Sequence, residues 1–277
     1  MNLLIADSGA TKTDWAVIRE GKPIYVRSEG LHPFYLDRES SARELRSLFQ
    51  DFQPDLIRFY GAGCFSDEAA APLLELLRER FGSVTVQLND DLHGAAHAFL
   101  DRTGGIVSIL GTGSASGLFR NGEVIQRVPS LGYILGDEGS AADIGKRILE
   151  KFLRRDIRPE TARFLESILG TVDHRELTAG LYQSTRPSYY LSTITKKCLR
   201  EQPLPDELME LVREGLHSFV RHHLLKYEES REGPVVITGG IATVLNGELE
   251  NILRESGIRN FSICGSVIAG LAAQVSA

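Results

Sequence analysis

Cysteine is scarce in this chain: Cys64, Cys198 and Cys264 are the three in 277 residues, and they lie far apart. No Cys-x-x-Cys occurs. Neither a disulfide framework nor a local zinc knuckle is therefore expected, and the three read as small buried hydrophobes. An excess of basic charge is missing too. Lys and Arg number 31 against 37 Asp and Glu, a net charge of −6 with no compensating basic stripe. That argues against a nucleic-acid or membrane-surface partner. No apolar run approaches the roughly 18 residues of a membrane span. The N-terminus runs straight into a strand, with no signal-type segment, so the chain reads as cytoplasmic. Two common nucleotide motifs are also missing. There is no Gly followed by four residues and Gly-Lys-Ser/Thr ahead of a helix. Gly111-Thr112-Gly113 leads into another apolar run and not into a helix, which weakens a dinucleotide-fold reading.

Glycine, by contrast, is plentiful at 27 residues, consistent with many tight turns. With 42% hydrophobic and 25% charged residues, the composition is that of a globular protein of two domains or one large one.

One stretch organises the rest: Asp7-Ser8-Gly9-Ala10-Thr11-Lys12-Thr13-Asp14-Trp15. Apolar runs precede it (Leu3-Leu4-Ile5-Ala6) and follow it (Ala16-Val17-Ile18), so it reads as the turn of a β-hairpin. Gly9 permits close backbone approach to a ligand. The turn offers the Ser8 and Thr11 hydroxyls and its N–H groups to an anion. Lys12 adds a point charge suited to phosphate. Asp7, at the end of the first strand, is placed to hold a metal directly or through water. An ordinary hairpin turn with a solvated lysine is the plainer alternative.

A second stretch repeats the pattern. Ile106 to Leu110 runs into Gly111-Thr112-Gly113-Ser114, and a further strand follows. A third glycine turn comes late, in Val235-Val236-Ile237-Thr238-Gly239-Gly240. The layout around these turns is regular. The first hundred residues read β-β-β-α-β-α-β-α. A second half restarts at Gly105 with strands near 105–110, 115–120 and 123–128 and a helix from about Ser140 to Leu153. Residues 156–232 break the pattern as a helical segment jointed at Pro159, Pro187, Pro203 and Pro205. The ending returns to form, with a strand at 234–238, a helix at about 243–256, a strand at 260–264 and a helix at 266–275.

Two acidic stretches are candidates for chemistry. Asn89-Asp90-Asp91 falls at the C-terminal end of a strand, where α/β sheets form ligand crevices. A carboxylate there can take a proton from a substrate hydroxyl, or it can cap the following helix, and one of the pair can do each. Leu131-Gly132-Tyr133-Ile134-Leu135-Gly136-Asp137-Glu138-Gly139-Ser140 sets two carboxylates between glycines just before a helix. Capping accounts for part of it. Carboxylates on a tight turn also suit paired sugar hydroxyls.

The three glycine turns, in this order, resemble the two phosphate motifs and the adenosine motif of the actin/hexokinase/acetate-kinase superfamily. The Leu110–Ser114 and Leu135–Ala141 stretches narrow the resemblance to the N-acetylglucosamine kinase branch of the BadF/BadG/BcrA/BcrD ATPase family, and it covers nearly the whole chain. The resemblance implies an α/β fold of two ribonuclease-H-like domains, at 1–104 and 105–277, flanking a nucleotide cleft. The helical insertion at about 156–232 lies in the second. It implies an ATP- and magnesium-dependent kinase acting on an amino sugar, N-acetylglucosamine at its 6-hydroxyl first. Asp91 becomes the catalytic base and Asp7 the magnesium residue. Ser8, Gly9, Thr11, Lys12, Thr112, Gly113 and Ser114 cradle phosphates, and Gly239 and Gly240 lie against adenosine. The family's sugar contacts fall on Leu131-Gly132-Tyr133 and Asp137. His32 stands where the family has a sugar-binding Asn, and an imidazole cannot copy an amide. The chain lacks the Cys-rich zinc motif of the repressor/kinase sugar-kinase branch.

Two other functions compete. A partner-activating ATPase of the same broad family bridges an iron–sulfur cluster between subunits and needs closely placed cysteines, which are missing here. An actin- or chaperone-like conformational ATPase is disfavoured by the small size and the insertion. Oligomeric state, a homodimer included, is left open by the sequence.

Overall fold

A computed structural model describes residues 1–101, 103–171, 173–201 and 203–276. The chain divides into two compact units. The first comprises residues 1–104, 120–124 and the segment from Ser266 onward; the second comprises 105–119 and 125–265.

Unit 1 is built on a five-stranded sheet ordered β3-β2-β1-β4-β5. The strands are β1 (Leu3–Ser8), β2 (Lys12–Arg19), β3 (Lys22–Glu29), β4 (Leu56–Gly61) and β5 (Thr85–Asn89). β1 pairs antiparallel with β2 and parallel with β4, and β4 pairs parallel with β5. Two helices, α1 (Arg38–Leu48) and α2 (Asp67–Phe81), supply one apolar layer. Leu45, Leu73, Leu76 and Leu77 there pack with Leu4, Ala6, Ile57 and Phe59 of the sheet. Trp15 sits at the centre of this core, fully buried and edge-on to Phe49 and Phe59, with its indole N–H donating to Ser28 Oγ at 2.9 Å. That bond satisfies the polar edge of the ring where water cannot reach it. The remaining helices of unit 1 are α3 (Asp91–Phe99) and α12 (Val267–Ser276), and α12 packs on α3, β1 and β2.

Unit 2 repeats the design. Its sheet is ordered β10-β9-β6-β7-β8, the first order shifted by five strands. The strands are β6 (Gly105–Leu110), β7 (Ser114–Arg120), β8 (Glu123–Arg127), β9 (Val235–Thr238) and β10 (Phe261–Cys264). Between β8 and β9 come α4 (Gly132–Leu135), α5 (Ala141–Arg154), α6 (Pro159–Leu169), α7 (His174–Tyr182), α8 (Pro187–Arg200) and α9 (Asp206–His222). The helical insertion is thus the run α6–α9. Pro159 and Pro187 open α6 and α8 at their first positions, where a missing N–H costs nothing, and Pro205 precedes α9. The segment read as one helix over 243–256 is two, α10 (Gly240–Val244) and α11 (Asn246–Glu255), broken at Leu245. The core of unit 2 runs through α5, α8, α9 and α11 to the sheet, with Phe219, Leu216 and Leu253 fully buried. Among the described residues no helix is long and apolar enough to cross a membrane.

Candidate active site

In each unit the parallel strands end at one edge, and the glycine turns and acidic residues gather there. In unit 1, register sets Asp7 beside Tyr60 and Tyr60 beside Asn89, which carries β1, β4 and β5 out together. The turn after β1 is tight: Gly9 N–H donates to the Lys12 carbonyl at 2.9 Å. Ser8 is buried, and its hydroxyl pairs with Thr13 Oγ1 at 2.8 Å and accepts the Leu31 N–H. Ser8 therefore closes the hairpin from inside, while Gly9 and Thr11 are partly exposed on the turn. Lys12 is ion-paired with Asp14 at 2.5 Å, and Arg27 joins the same carboxylate at 2.6 Å. Against the desolvation of its partial burial, these two hydrogen bonds hold Asp14 below the usual carboxylate range.

Asp90 and Asp91 have different surroundings. Asp90 is the N-cap of α3: its Oδ1 accepts from the His93 N–H at 3.0 Å and lies 2.8 Å from His93 Nδ1. Asp91 is the first residue of the helix and shares the strand end with Asp7. Burial, and then the charges of Asp91 and Asp14, push Asp7 up to about 7 against the pull of Lys12. The sign of the consequence is fixed. Between about pH 4 and pH 7 the folded chain holds a proton on Asp7 that the unfolded chain has lost, so this group's contribution to stability falls as pH rises through that window. Thermal unfolding in metal-free buffer is expected to show a decline in Tm over that window that Asp7→Asn flattens. Equal slopes in the two proteins would remove the assignment. His32 is the N-cap of the short 3₁₀ turn Pro33–Tyr35; its Nδ1 accepts the Phe34 N–H at 3.3 Å, and its ring packs over Gly63. Cys64 is buried close by, its thiol pushed up to about 12 by burial and then by Asp91 and Asp90.

In unit 2 the β6–β7 turn is closed by Gly111 N–H donating to the Gly113 carbonyl at 2.9 Å. The start of α5 holds it from behind: Ala141 and Ala142 donate their N–H groups to the carbonyls of Gly111 and Thr112. Ser140, not an acidic residue, is the N-cap of α5, and its Oγ accepts the Asp143 N–H at 3.2 Å while Asp143 accepts the Gly139 N–H at 3.0 Å. Asp137 and Glu138 are thereby relieved of capping. Asp137 adopts a left-handed conformation (φ 56°), and its Oδ1 accepts the Ser114 N–H at 3.2 Å. Desolvation raises the Asp137 carboxyl above its ordinary value despite that bond. Gly132 and Tyr133 lie in α4, a single helical turn, where Lys146 donates to the Tyr133 carbonyl at 3.2 Å. Gly239 abuts the same sheet edge. Its φ is 114°, and a Cβ there would lie 2.4 Å from the Leu110 carbonyl oxygen, so only glycine fits. A Cβ on Gly240 would meet open space.

The structure thus gathers Asp7, Ser8, Gly9, Thr11, Lys12 and Asp91 at one sheet edge of unit 1, and Thr112, Gly113, Ser114, Asp137 and Gly239 at one edge of unit 2. Among the described residues no group of three or more His, Cys, Asp or Glu forms a ready metal cage. The sequence marks Glu138 as one of two carboxylates on its turn without giving it a role of its own, and it leaves out His223, whose Nε2 lies 3.3 Å from Glu138 Oε2. A signal exists: Gly215, Phe219 and His223 recur every fourth residue, the spacing of one helix face.

No family model matches the chain, and no curated protein matches it. Solved structures do. A candidate N-acetylglucosamine kinase from Porphyromonas gingivalis is 28% identical with a TM-score of 0.87, over 99% of this chain and 98% of that one. A candidate N-acetylglucosamine kinase from Chromobacterium violaceum is 18% identical with a TM-score of 0.77, over 99% and 98%. A ROK family glucokinase from Streptomyces griseus, in complex with glucose and AMPPNP, is 15% identical with a TM-score of 0.58, over 100% and 97%. The two five-stranded sheets with flanking helices make this chain an α/β protein of the actin-like ATPase fold that such sugar kinases adopt.

Proposed function

We propose that the chain is an ATP-dependent sugar kinase that transfers the γ-phosphoryl group to an amino sugar, N-acetylglucosamine at the 6-hydroxyl. The observation that carries this reading is the division of labour at Asp90 and Asp91. Asp90 is committed to the cap of α3, and its neighbour Asp91 stands beside Asp7 at the ligand end of the sheet. In the proposed reaction Asp91 orients the sugar hydroxyl and takes its proton. Thr11, Lys12, Thr112 and Ser114 hold phosphates, and Gly239-Gly240 lets adenosine lie against backbone. Asp137, with His32, Gly132 and Tyr133, holds sugar hydroxyls. Phosphoryl transfer relies mainly on positioning and charge stabilisation, which suits a site made of turns, hydroxyls and one base.

Asp7 fits a magnesium ion. Its carboxyl is partly buried beside two other carboxylates, and a site offering one or two carboxylates with water and phosphate as the other ligands is the usual magnesium mode. When bound, the ion would neutralise phosphate charge. Likeness to the Porphyromonas protein supports the amino-sugar assignment. The partner-activating alternative draws no support from the cysteines. Cys64 and Cys198 are buried, in different units, and burial pushes each thiol up to about 12, far from the thiolate that a cluster needs.

The test is ADP release with magnesium and ATP, against N-acetylglucosamine, glucosamine, N-acetylmannosamine, glucose and no sugar. Stimulation by N-acetylglucosamine above the others is the expected result. Stimulation by a different sugar would keep the kinase and change its substrate. ADP release that no sugar alters would sink the kinase reading.

A further inference from the structure

His223 follows α9 directly and is 2% exposed, 109 residues from the strand it serves. Its Nε2 lies 3.1 Å from Ser114 Oγ and 3.3 Å from Glu138 Oε2, and its Nδ1 lies 3.3 Å from Ser116 Oγ. Ser116 Oγ is in turn 2.9 Å from the hydroxyl of Tyr227, which accepts the Val128 N–H at 3.1 Å. The direction of every hydrogen in this buried chain can be read from its closed end.

Val128 N–H can only donate, so the Tyr227 oxygen is an acceptor there, and among the described residues Ser116 Oγ is the partner left to take the buried tyrosine hydrogen. Ser116 then donates to His223 Nδ1. An Nδ1 that accepts puts the proton of a neutral imidazole on Nε2. Burial, against the opposing pull of Glu138, lowers the affinity of this ring for a second proton. The Nε2–H faces Ser114 Oγ at 3.1 Å, with the Glu138 carboxyl group 3.3 Å away. Among the described residues the Ser114 hydroxyl has His223 as its hydrogen-bond partner. With its oxygen accepting from His223, the hydrogen of Ser114 is left for an acceptor that a ligand brings.

We infer that His223 is a positioning residue: protonated on Nε2, it fixes Ser114 as a hydrogen-bond donor to a bound phosphate and ties β7 to the Asp137–Glu138 turn. This rests on the ATP-binding reading above, because the phosphate is that of the nucleotide. The backing is rigid. Gly139 (φ 70°) lies so close to α9 that a Cβ would meet the Gly215 carbonyl oxygen and Phe219 Cβ, each at 2.7 Å. The helix that delivers His223 therefore also seats the turn that carries Asp137 and Glu138. Its part in the site is to hold other groups, and it touches no reacting atom.

The test has two arms. In the first, binding of magnesium-ATP is measured by calorimetry for the wild type, His223→Leu, His223→Gln, Ser114→Ala and the double variant His223→Leu/Ser114→Ala, each checked for folding by its thermal transition. His223→Leu is expected to weaken ATP about tenfold, the scale of one charge-assisted hydrogen bond. His223→Gln, whose amide keeps an N–H where Nε2–H was, should return most of the loss. Ser114→Ala should cost nothing further once His223 is Leu. In the second arm, long-range ¹H–¹⁵N spectra of the histidine rings should show His223 as the Nε2–H tautomer. An unchanged ATP affinity in His223→Leu, additive losses in the double variant, or an Nδ1–H tautomer would each overturn the inference. A wild type that binds no ATP would remove the reading beneath it, and the tautomer spectrum would still judge the relay itself.

Discussion

Asp91→Asn is expected to lower turnover by about 10²–10⁴-fold, the contribution of a general base, or roughly 3–5 kcal/mol of barrier. ATP binding should survive. The substitution is well isolated because the cap of α3 sits on Asp90, whose Oδ1 already accepts from His93. Asn in place of Asp91 keeps size and shape and removes charge and basicity alone. Removing that charge also relieves Asp7, whose carboxyl Asp91 helps to raise, so Asp7 should titrate lower in the variant. Asp90→Asn is the matched control. Asparagine caps a helix about as well as aspartate, so its Oδ1 can keep the bond from the His93 N–H, and the variant should leave turnover near that of the wild type. Turnover of Asp91→Asn within a factor of a few of wild type would take Asp91 out of the role. A large loss in Asp90→Asn instead would exchange the two.

Gly145→Ala is expected to destabilise the fold by about 3 kcal/mol or more, at the upper end of overpacking effects. Helix propensity alone predicts the reverse, since Gly145 lies inside α5 and alanine favours a helix interior by about 1 kcal/mol. Packing decides the sign. A Cβ on Gly145 would stand 2.0 Å from the Leu191 carbonyl oxygen, 2.8 Å from its carbon and 3.0 Å from Thr195 Oγ1. The obstacle is the backbone of α8, which cannot rotate away as a side chain could. Thr195 also anchors the crossing by donating to the Ala141 carbonyl at 2.7 Å. Pushing α8 off α5 would disturb Ala141 and Ala142, whose N–H groups hold the Gly111–Thr112 turn. Thermal unfolding should therefore show a Tm lowered by roughly 6–12 °C, taking about 2–4 °C per kcal/mol for a chain of this order of size. A Tm equal to or above that of the wild type would contradict the close crossing of α5 and α8.

Local features were legible in the sequence and distant ones were not. Ser66 as the N-cap of α2 can be read directly, because a cap is settled by residues three apart, and its Oγ accepts the Ala69 N–H. Pro159 and Pro187 mark helix starts for the same kind of reason. Alternating apolar runs revealed the strands, and their repetition after Gly105 revealed the second sheet. The choice between Asp90 and Asp91 was not readable from propensity, since either residue can cap. Which of the two caps α3 is shown by the hydrogen bond from the His93 N–H to Asp90 Oδ1. The α4 turn was hidden because Leu131, Ile134 and Leu135 are exposed, and their pattern points to no core. The bond from His223 to Ser114 joins residues 109 apart, and no periodicity in one segment records a partner so distant.

Helix α12 follows unit 2 in sequence and yet packs on β1 and β2. During synthesis the two layers of unit 1 are therefore completed at very different times. The Trp15 core beneath α1 and α2 can form once β5 has left the ribosome. The opposite face of the sheet, with Ile5, Ala16 and Ile18, waits for the whole of unit 2 to be translated. At about 5–20 residues per second that delay is roughly 10–40 s. For that interval a nascent chain carries an apolar sheet face without its final cover, and a chaperone or the ribosome surface has time to occupy it.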